Sequence, residues 1–291
     1  MDILYKHLSA YRYGSVETLL SADGETKLRT IERHFNKFHL LTREITSQGP
    51  ADDLHIQTVE TSYAYEEGKP FKDQRAYCQL PLTTTTTWRK AKTDTARTEV
   101  LKRDYYEDGN LRFVEHPSGV IETSLWYPAG GEQGACPPDP SGFVRHLKSK
   151  TTTPAPSALT PIAPTLRQGY RYSALPAYDG NASTTDWPVI EIETLEEVDA
   201  QAQVLQELQS TQYTYFKNQQ QPLTYGRVEE HTLTMNGLAT TTNYTYATRL
   251  STFANDDNKE TVLVTTQTVT GHDNSATNII KKTTTSEHSL L

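Results

Sequence analysis

The sequence predicts an all-β protein made of antiparallel hairpin repeats. Strand-forming residues dominate, because threonine is heavily used and 17 tyrosines outnumber 7 phenylalanines and 3 tryptophans together. Hydrophobic residues make up only 35% of the chain, which even with its 15 glycines falls below the roughly 45–50% of an average globular domain. We therefore expect a thin core and a sheet that faces water on one side.

Aromatic pairs recur along the whole chain. Residues two apart on a strand point to the same face, so each Tyr-x-Tyr pair predicts two rings side by side on a sheet. We interpret the pairs as packing ribs, with exposed platforms that stack on sugar rings as the alternative. The pairs, including two degenerate ones, are Tyr11/Tyr13, Tyr63/Tyr65, Tyr105/Tyr106, Trp126/Tyr127, Tyr170/Tyr172, Tyr213/Tyr215 and Tyr244/Tyr246.

Turn-forming residues separate these pairs. Asp-Gly and Asn-Gly supply the positive φ that hairpin turns need, so each predicts a chain reversal. The predicted reversals are Asp23-Gly24, Asp108-Gly109-Asn110, Ser118-Gly119, Asp179-Gly180-Asn181 and Asn236-Gly237. The alternating or β-branched character of Val189–Leu195 and Thr261–Thr270 also favours strands.

One segment fits two structures. Thr194–Leu208 begins with a possible capping box, Thr194 and Glu197, and then places Val198, Ala202 and Leu205 at helical spacing. Helix and strand both remain open here.

A change in composition divides the chain into three parts. Residues 128–168 are rich in proline and glycine, and proline cannot donate to a sheet ladder. We expect repeat strands over residues 1–127, a connection over 128–168, and repeat strands again over 169–291.

Charge and targeting signals exclude several functional classes. The net charge is −8 and the basic residues are scattered, so we expect no binding to nucleic acid. No stretch approaches the roughly 20 apolar residues of a membrane span, and the N-terminal sequence lacks a Sec signal. We therefore expect export by a dedicated system, or a cytoplasmic stage before export. Two distant cysteines, Cys78 and Cys136, are expected to be free thiols.

The sequence predicts no enzyme, no cofactor and no metal. It contains no GxSxG, HExxH, P-loop or GxGxxG motif. His34 and His39 lack the spacing of a zinc site, and Phe253–Glu260 lacks the ligand spacing of a calcium loop. Acidic pairs beside turns are expected to be solvated loop carboxylates rather than glycosidase residues. These pairs are Asp52/Asp53, Glu66/Glu67 and Asp256/Asp257.

Three segments resemble a known family. Tyr106–Leu111, followed by Gly119 and a new aromatic pair ending at Tyr127, resembles the YD repeat of bacterial RHS proteins. His34–Glu44 is similar to a variant of that unit. Cys136–Lys148 is similar to a stretch of RHS-type proteins and components of insecticidal toxin complexes. The resemblance implies that successive hairpins join edge to edge into a long sheet, and that this chain is a section of a spiralling, hollow RHS-type shell. The partners it implies are further RHS repeats and an enclosed toxin or effector polypeptide.

The chain also departs from the family pattern. Asp139–Phe143 imitates the DPxGL-type motif that closes the family's shell, where carboxylates cut the chain. It lies mid-chain, with a Tyr-x-Tyr pair resuming at Tyr170, so we interpret it as unrelated to cleavage. The end of the chain still has repeat character, which predicts a non-catalytic section of a larger shell or a truncated copy of one.

An alternative function is a β module that binds cell-surface carbohydrate through exposed tyrosine faces. Its candidate stacking residues are Tyr213, Tyr215, Tyr244 and Tyr246.

Overall fold

The protein is all-β, as the sequence predicts. The computed structural model describes residues 11–50, 53–91, 95–157, 163–178, 186–251, 260–272 and 279–290. These residues form antiparallel strands and one short 3₁₀ turn, Phe71–Asp73, with no α-helix among them. The described part of the chain therefore contains no helix long and apolar enough to cross a membrane.

The chain divides into two compact units. One comprises residues 1–123 and 153–162, and the other comprises residues 124–152 and 163–291. The first contains β1 (Tyr13–Leu20), β2 (Lys27–Phe35), β3 (Leu41–Gln48), β4 (His55–Tyr63), β5 (Pro81–Lys90), β6 (Ala96–Tyr105), β7 (Leu111–Glu115) and the start of β8 (Ile121–Trp126). The second contains β9 (Leu147–Thr153), β10 (Thr165–Leu175), β11 (Trp187–Val198), β12 (Val204–Tyr215), β13 (Val228–Met235), β14 (Leu238–Leu250), β15 (Thr261–His272) and β16 (Ile279–Ser289).

Within each unit the strands are neighbours in chain order, each antiparallel to the one before it. Strand β9 lies inside 128–168, the range whose proline content predicts a connection.

One five-residue loop recurs between strands. Its first N–H donates to the fifth carbonyl, and its fourth N–H donates to the first carbonyl. The fourth residue has positive φ in every copy, as in a type I turn followed by a left-handed residue. The copies are residues 36–40, 106–110, 116–120 and 199–203.

The glycine-containing turns form where the sequence predicts them. In residues 106–110, Asp108 accepts a hydrogen bond from the N–H of Asn110 (2.9 Å), and Gly109 has a φ of 89°. Gly119 has a φ of 86°. Asn236 and Gly237 have φ values of 50° and 75° and join β13 to β14 as a two-residue turn.

The other two predicted turns are Asp23-Gly24 and residues 179–181. Gly24 has a φ of 79° in the turn between β1 and β2. The predicted reversal at residues 179–181 lies outside the described residues.

The segment 194–208 is a hairpin, so its helical alternative is wrong. Glu193 to Val198 pair with both β10 and β12. The chain reverses at Asp199, whose carboxylate accepts N–H bonds from Gln201 (2.9 Å) and Gln203 (2.8 Å). Backbone pairing on both edges and a side-chain-capped turn outweigh the weak helical periodicity of an isolated segment.

The core is thin, and its buried apolar side chains lie both in loops and in strands. In the first unit, Phe38 packs edge-on against Tyr65 with ring centres 5.2 Å apart, and Tyr77 and Cys78 are also buried. Large apolar side chains on the strands remain exposed to solvent, among them Val16 (67%) and Leu205 (62%).

We expect Ala202→Gly to stabilise the protein by about 0.5–1 kcal/mol. Ala202 has a φ of 60°, a conformation that strains residues with a Cβ, and the relief outweighs the extra entropy of glycine in the unfolded chain. Urea unfolding followed by circular dichroism measures the change. Ala247→Gly, within β14, is the control and should instead destabilise by about 0.5–1 kcal/mol. A loss of stability in both variants would show that the turn at Ala202 is not strained.

Candidate functional site

Tyrosine hydroxyls tie neighbouring strands together in a repeated arrangement. In five strand pairs, a tyrosine near the end of an even-numbered strand donates its O–H to a backbone carbonyl of the preceding strand. We call these contacts the tyrosine latches. They are Tyr63 to Leu41 (2.8 Å), Tyr105 to Pro81 (2.9 Å), Tyr172 to Leu147 (3.1 Å), Tyr215 to Ile190 (2.6 Å) and Tyr246 to Val228 (3.0 Å).

The latches share one register. Continuing the β5–β6 pairing places Asp104 opposite Pro81, and Tyr105 is the next residue. The same offset of one residue holds for the other four latches. The hydroxyl therefore reaches diagonally to a carbonyl at or near the beginning of the preceding strand.

A β-bulge accompanies four of the latches. The pairing with the following strand shifts register immediately before the latch tyrosine, and such a shift bends the strand and redirects the side chain. The shifts lie at Ser62/Tyr63, Asp104/Tyr105, Arg171/Tyr172 and Thr214/Tyr215. Bulge and latch together form the structural repeat unit of this protein.

Burial raises the pKa of every latch tyrosine. Desolvation disfavours the phenolate and is the largest cause in each case. It raises the pKa of Tyr172 to about 12. The latch hydroxyls therefore stay protonated and able to donate at neutral pH.

The remaining aromatic residues of the predicted pairs have other roles. Tyr127 is buried and donates its O–H to the carbonyl of Tyr170 (2.9 Å). Arg112 lies over the ring of Tyr106, with its guanidinium carbon 6.0 Å from the ring centre. Trp126 is half-buried at the end of β8.

Three of the candidate stacking tyrosines gather around a histidine that the sequence analysis did not single out. The ring centre of His231 lies 5.9 Å from that of Tyr213 and 5.8 Å from that of Tyr244. Tyr246 stacks parallel to Tyr244 at 6.4 Å. The rings are half-buried, and the hydroxyl of Tyr213 donates to Glu193 (3.0 Å). Only the strand register, which pairs His231 with Tyr213, brings this cluster together.

Residues Cys136–Lys148, which we call the Asp139 segment, are organised around a buried carboxylate. The Asp139 side chain is 1% exposed. It accepts hydrogen bonds from the N–H groups of Ser141 (2.9 Å) and Phe143 (3.0 Å), from Arg145 (2.5 Å and 3.0 Å) and from His146 (3.2 Å). The hydrogen bond from Arg145 is the largest cause that holds the pKa of Asp139 far below its usual range.

This environment makes Asp139 a structural anion. A carboxylate that accepts several hydrogen bonds has little basicity left, so it is a poor general base or nucleophile. Phe143 itself is 62% exposed.

The same segment requires a glycine at position 131. Gly131 has a φ of 73°, and a Cβ there would lie 2.4 Å from the carbonyl oxygen of Cys136. Cys136 and Cys78 are both buried free thiols. Burial raises the pKa of the Cys136 thiol to about 11, so at neutral pH the thiol is protonated and weakly nucleophilic.

The adjacent acidic residues Glu66 and Glu67 form ion pairs with basic side chains. Glu66 contacts Lys69 (2.7 Å) and Arg75 (3.5 Å), and Glu67 contacts Arg12 (3.2 Å). Asp52, Asp256 and Asp257 lie outside the described residues, as does nearly all of Phe253–Glu260.

The two histidines singled out from the sequence have separate partners. His34 contacts Glu32 (2.6 Å), and His39 contacts the hydroxyl of Tyr13 (3.1 Å). Within the described ranges, no three His, Cys, Asp or Glu side chains come together to form a metal site.

Comparisons with known proteins assign no family. No family model matches the chain, and no curated protein matches it. Among solved structures, the chain is similar to a porin-like protein from Bacteroides uniformis ATCC 8492, with 11% identity and a TM-score of 0.23 over 84% of this chain and 95% of that one. A TM-score this low carries no argument about fold or function.

We expect Tyr215→Phe to destabilise the protein by about 1 kcal/mol, because it removes the latch hydroxyl and leaves the Ile190 carbonyl without that donor. Urea unfolding followed by circular dichroism measures the loss. Tyr178→Phe is the matched control, because Tyr178 contacts the ring of Tyr225 and is 38% exposed. Equal stability of the two variants would contradict a stabilising role for the latches.

We expect stability to fall at alkaline pH. The pKa of Tyr172 is raised from 10.0 to about 12 in the folded protein, so above pH 10 the folded state binds more protons than the unfolded state. Its contribution is complete below pH 10 and is lost as the pH rises through about 12. Urea midpoints measured from pH 8 upward test this. Tyr172→Phe should show a shallower decline than the wild type and Tyr178→Phe, and identical slopes would contradict the assignment.

Proposed function

We propose that the chain is a non-catalytic wall section of an RHS-type shell that encloses a toxin or effector polypeptide. In this function the wall section acts sterically. It isolates the enclosed polypeptide and catalyses no reaction on it. The observation that supports this proposal most directly is the strand order, because hairpins that pair only with their neighbours in sequence can extend a wall indefinitely.

The terminal strands support growth of the sheet beyond this chain. Among the described residues, β1 pairs only with β2, and β16 pairs only with β15. Each outer edge presents unpaired N–H and C=O groups, which readily accept another strand. Exposed apolar side chains accompany both edges, including Val16 (67% exposed) and Ile279 (65% exposed).

Exposed side chains on the strands support a partner on the sheet face. They include large apolar residues such as Val204 (48% exposed) and Leu205 (62% exposed). Threonine and tyrosine cover much of the strands, and such a surface tolerates both water and a polypeptide. A wall that lies against varied contents needs this kind of surface.

The state of the polar groups supports a non-catalytic role. Asp139 is saturated with hydrogen bonds, Cys136 is a buried thiol with a raised pKa, and Glu66 is held by cations. Active sites instead hold titratable groups poised near the working pH.

The alternative use of the tyrosine faces for carbohydrate stacking gains little support. Tyr215 and Tyr246 act as latches, and their hydroxyls are engaged within the protein. Tyr244 is half-buried between His231 and Tyr246.

We expect the isolated chain to self-associate through its open edges. Sedimentation velocity over a range of concentrations should show growing oligomers. Two double variants, Val16→Lys with Leu19→Lys and Ile279→Lys with Ile280→Lys, should reduce this association, because lysines on edge strands oppose further pairing.

The control for this test keeps the charge change away from the edges. Leu125→Lys with Leu205→Lys adds the same charge at exposed positions of β8 and β12 and should leave association unchanged. A wild-type chain that stays monomeric at high concentration would refute the wall section and favour an independent module.

A further inference from the structure

A groove on the first unit combines an aromatic ring, amides and cations. It has a volume of about 910 Å³ and lies across the ends of β2 to β6. Its described lining residues are Arg29, Thr46, Gln48, His55, Ile56, Gln57, Trp88, Arg89, Lys90, Thr95, Ala96 and Arg97. The tyrosine latches and the Asp139 segment do not contribute to it.

The strand register places the polar lining on one face. Residues directly opposite on antiparallel strands share a face. One row across the sheet consists of Arg29, Gln48, His55 and Lys90. The next row on that face consists of Thr46, Gln57, Trp88 and Arg97.

Trp88 supplies a flat apolar surface within this groove. The indole is half-buried, and the guanidinium carbon of Arg97 lies 5.6 Å from its ring centre. The amides of Gln48 and Gln57 each provide a donor and an acceptor in the neighbouring strands. An aromatic plane beside several amide groups suits a ligand with an apolar face and a rim of hydroxyls.

The charge of the groove is opposite to that of the whole chain. Three cations on this face, Arg29, Lys90 and Arg97, and no carboxylate are among the described residues that line it, in a chain of net charge −8. Arg89 also lines the groove, but it lies between Trp88 and Lys90 in β5 and belongs to the other face of the strand. Lys90 contacts Asp53 (2.8 Å) just outside the lining, and Arg97 pairs with Glu99. Arg29 is exposed and has no ion pair within the described ranges. A guanidinium in this position can bind a carboxylate through two parallel hydrogen bonds.

We propose that this groove binds a polysaccharide that carries carboxylate groups. Trp88 stacks on a sugar ring, Gln48 and Gln57 bind hydroxyls, and Arg29, Lys90 and Arg97 bind the acid groups. Single-stranded nucleic acid fits less well, because it requires a series of aromatic platforms along a basic track. This proposal does not depend on the wall-section proposal, since a section of wall and a free-standing module can each carry a groove.

Calorimetric titration of the full chain with a hyaluronan hexasaccharide tests the proposal. Binding should weaken as salt is added, because the exposed charges of the groove are screened. A neutral dextran oligosaccharide of similar size should bind at least tenfold more weakly, because it has no carboxylate groups to pair with the basic side chains of the groove. Equal binding of dextran, or equal or tighter binding of an oligothymidylate, would overturn the proposal.

Matched variants locate the binding site. Trp88→Ala should weaken hyaluronan binding by about tenfold, whereas Trp187→Ala, at a tryptophan 52% exposed in the second unit, should not. Lys90→Gln should weaken binding, whereas Lys102→Gln should not. Both lysines are similarly exposed (52% and 54%), and each forms an ion pair, Lys90 with Asp53 and Lys102 with Glu115.

If Trp88→Ala fails to fold, Lys90→Gln still tests the proposal, because an exposed lysine contributes little to stability and this variant should fold normally. Unchanged affinity in both Trp88→Ala and Lys90→Gln would overturn the proposal even if the wild type binds hyaluronan.

Discussion

The hydrogen bond from a tyrosine hydroxyl to the carbonyl of the preceding strand is the interaction on which this fold depends. A protein with few buried apolar residues must fix strand register by other means. Each latch contributes only about 1 kcal/mol, but it recurs at the same offset from Tyr63 to Tyr246. Because a slip of one residue would move the hydroxyl away from its acceptor, the latches specify the pairing that a thin core leaves weakly defined.

Local loop geometry also determines how each strand is connected to the next. The five-residue loop ends one strand and starts the next with the same pair of backbone hydrogen bonds, whether its fourth residue is Gly109 or Ala202. The Asp139 segment is an exception, because an ion pair between the buried Asp139 carboxylate and the partly exposed Arg145 holds it rather than a strand pairing. Burying the carboxylate costs desolvation, and the backbone donors of Ser141 and Phe143 help to offset that cost.

Two surfaces of the molecule have different consequences for function. The strand edges and faces are apolar and hydroxyl-rich, and they suit contact with other polypeptide. The groove around Trp88 is polar and locally cationic, and it suits a small, acidic and hydroxylated ligand. A repeat protein can carry both, since its repeats supply an extended surface and local substitutions supply a site.

The sequence by itself determined the all-β antiparallel class and the turns at Gly109, Gly119 and Asn236, because strand propensity and positive φ are local properties. It could not decide between helix and strand for 194–208, since pairing with β10 and β12 is a non-local contribution. It identified the tyrosine pairs but not which member forms the latch. Only the tertiary structure decided that, and placed His231 and Trp88 in their clusters, because register determines which distant residues share a face.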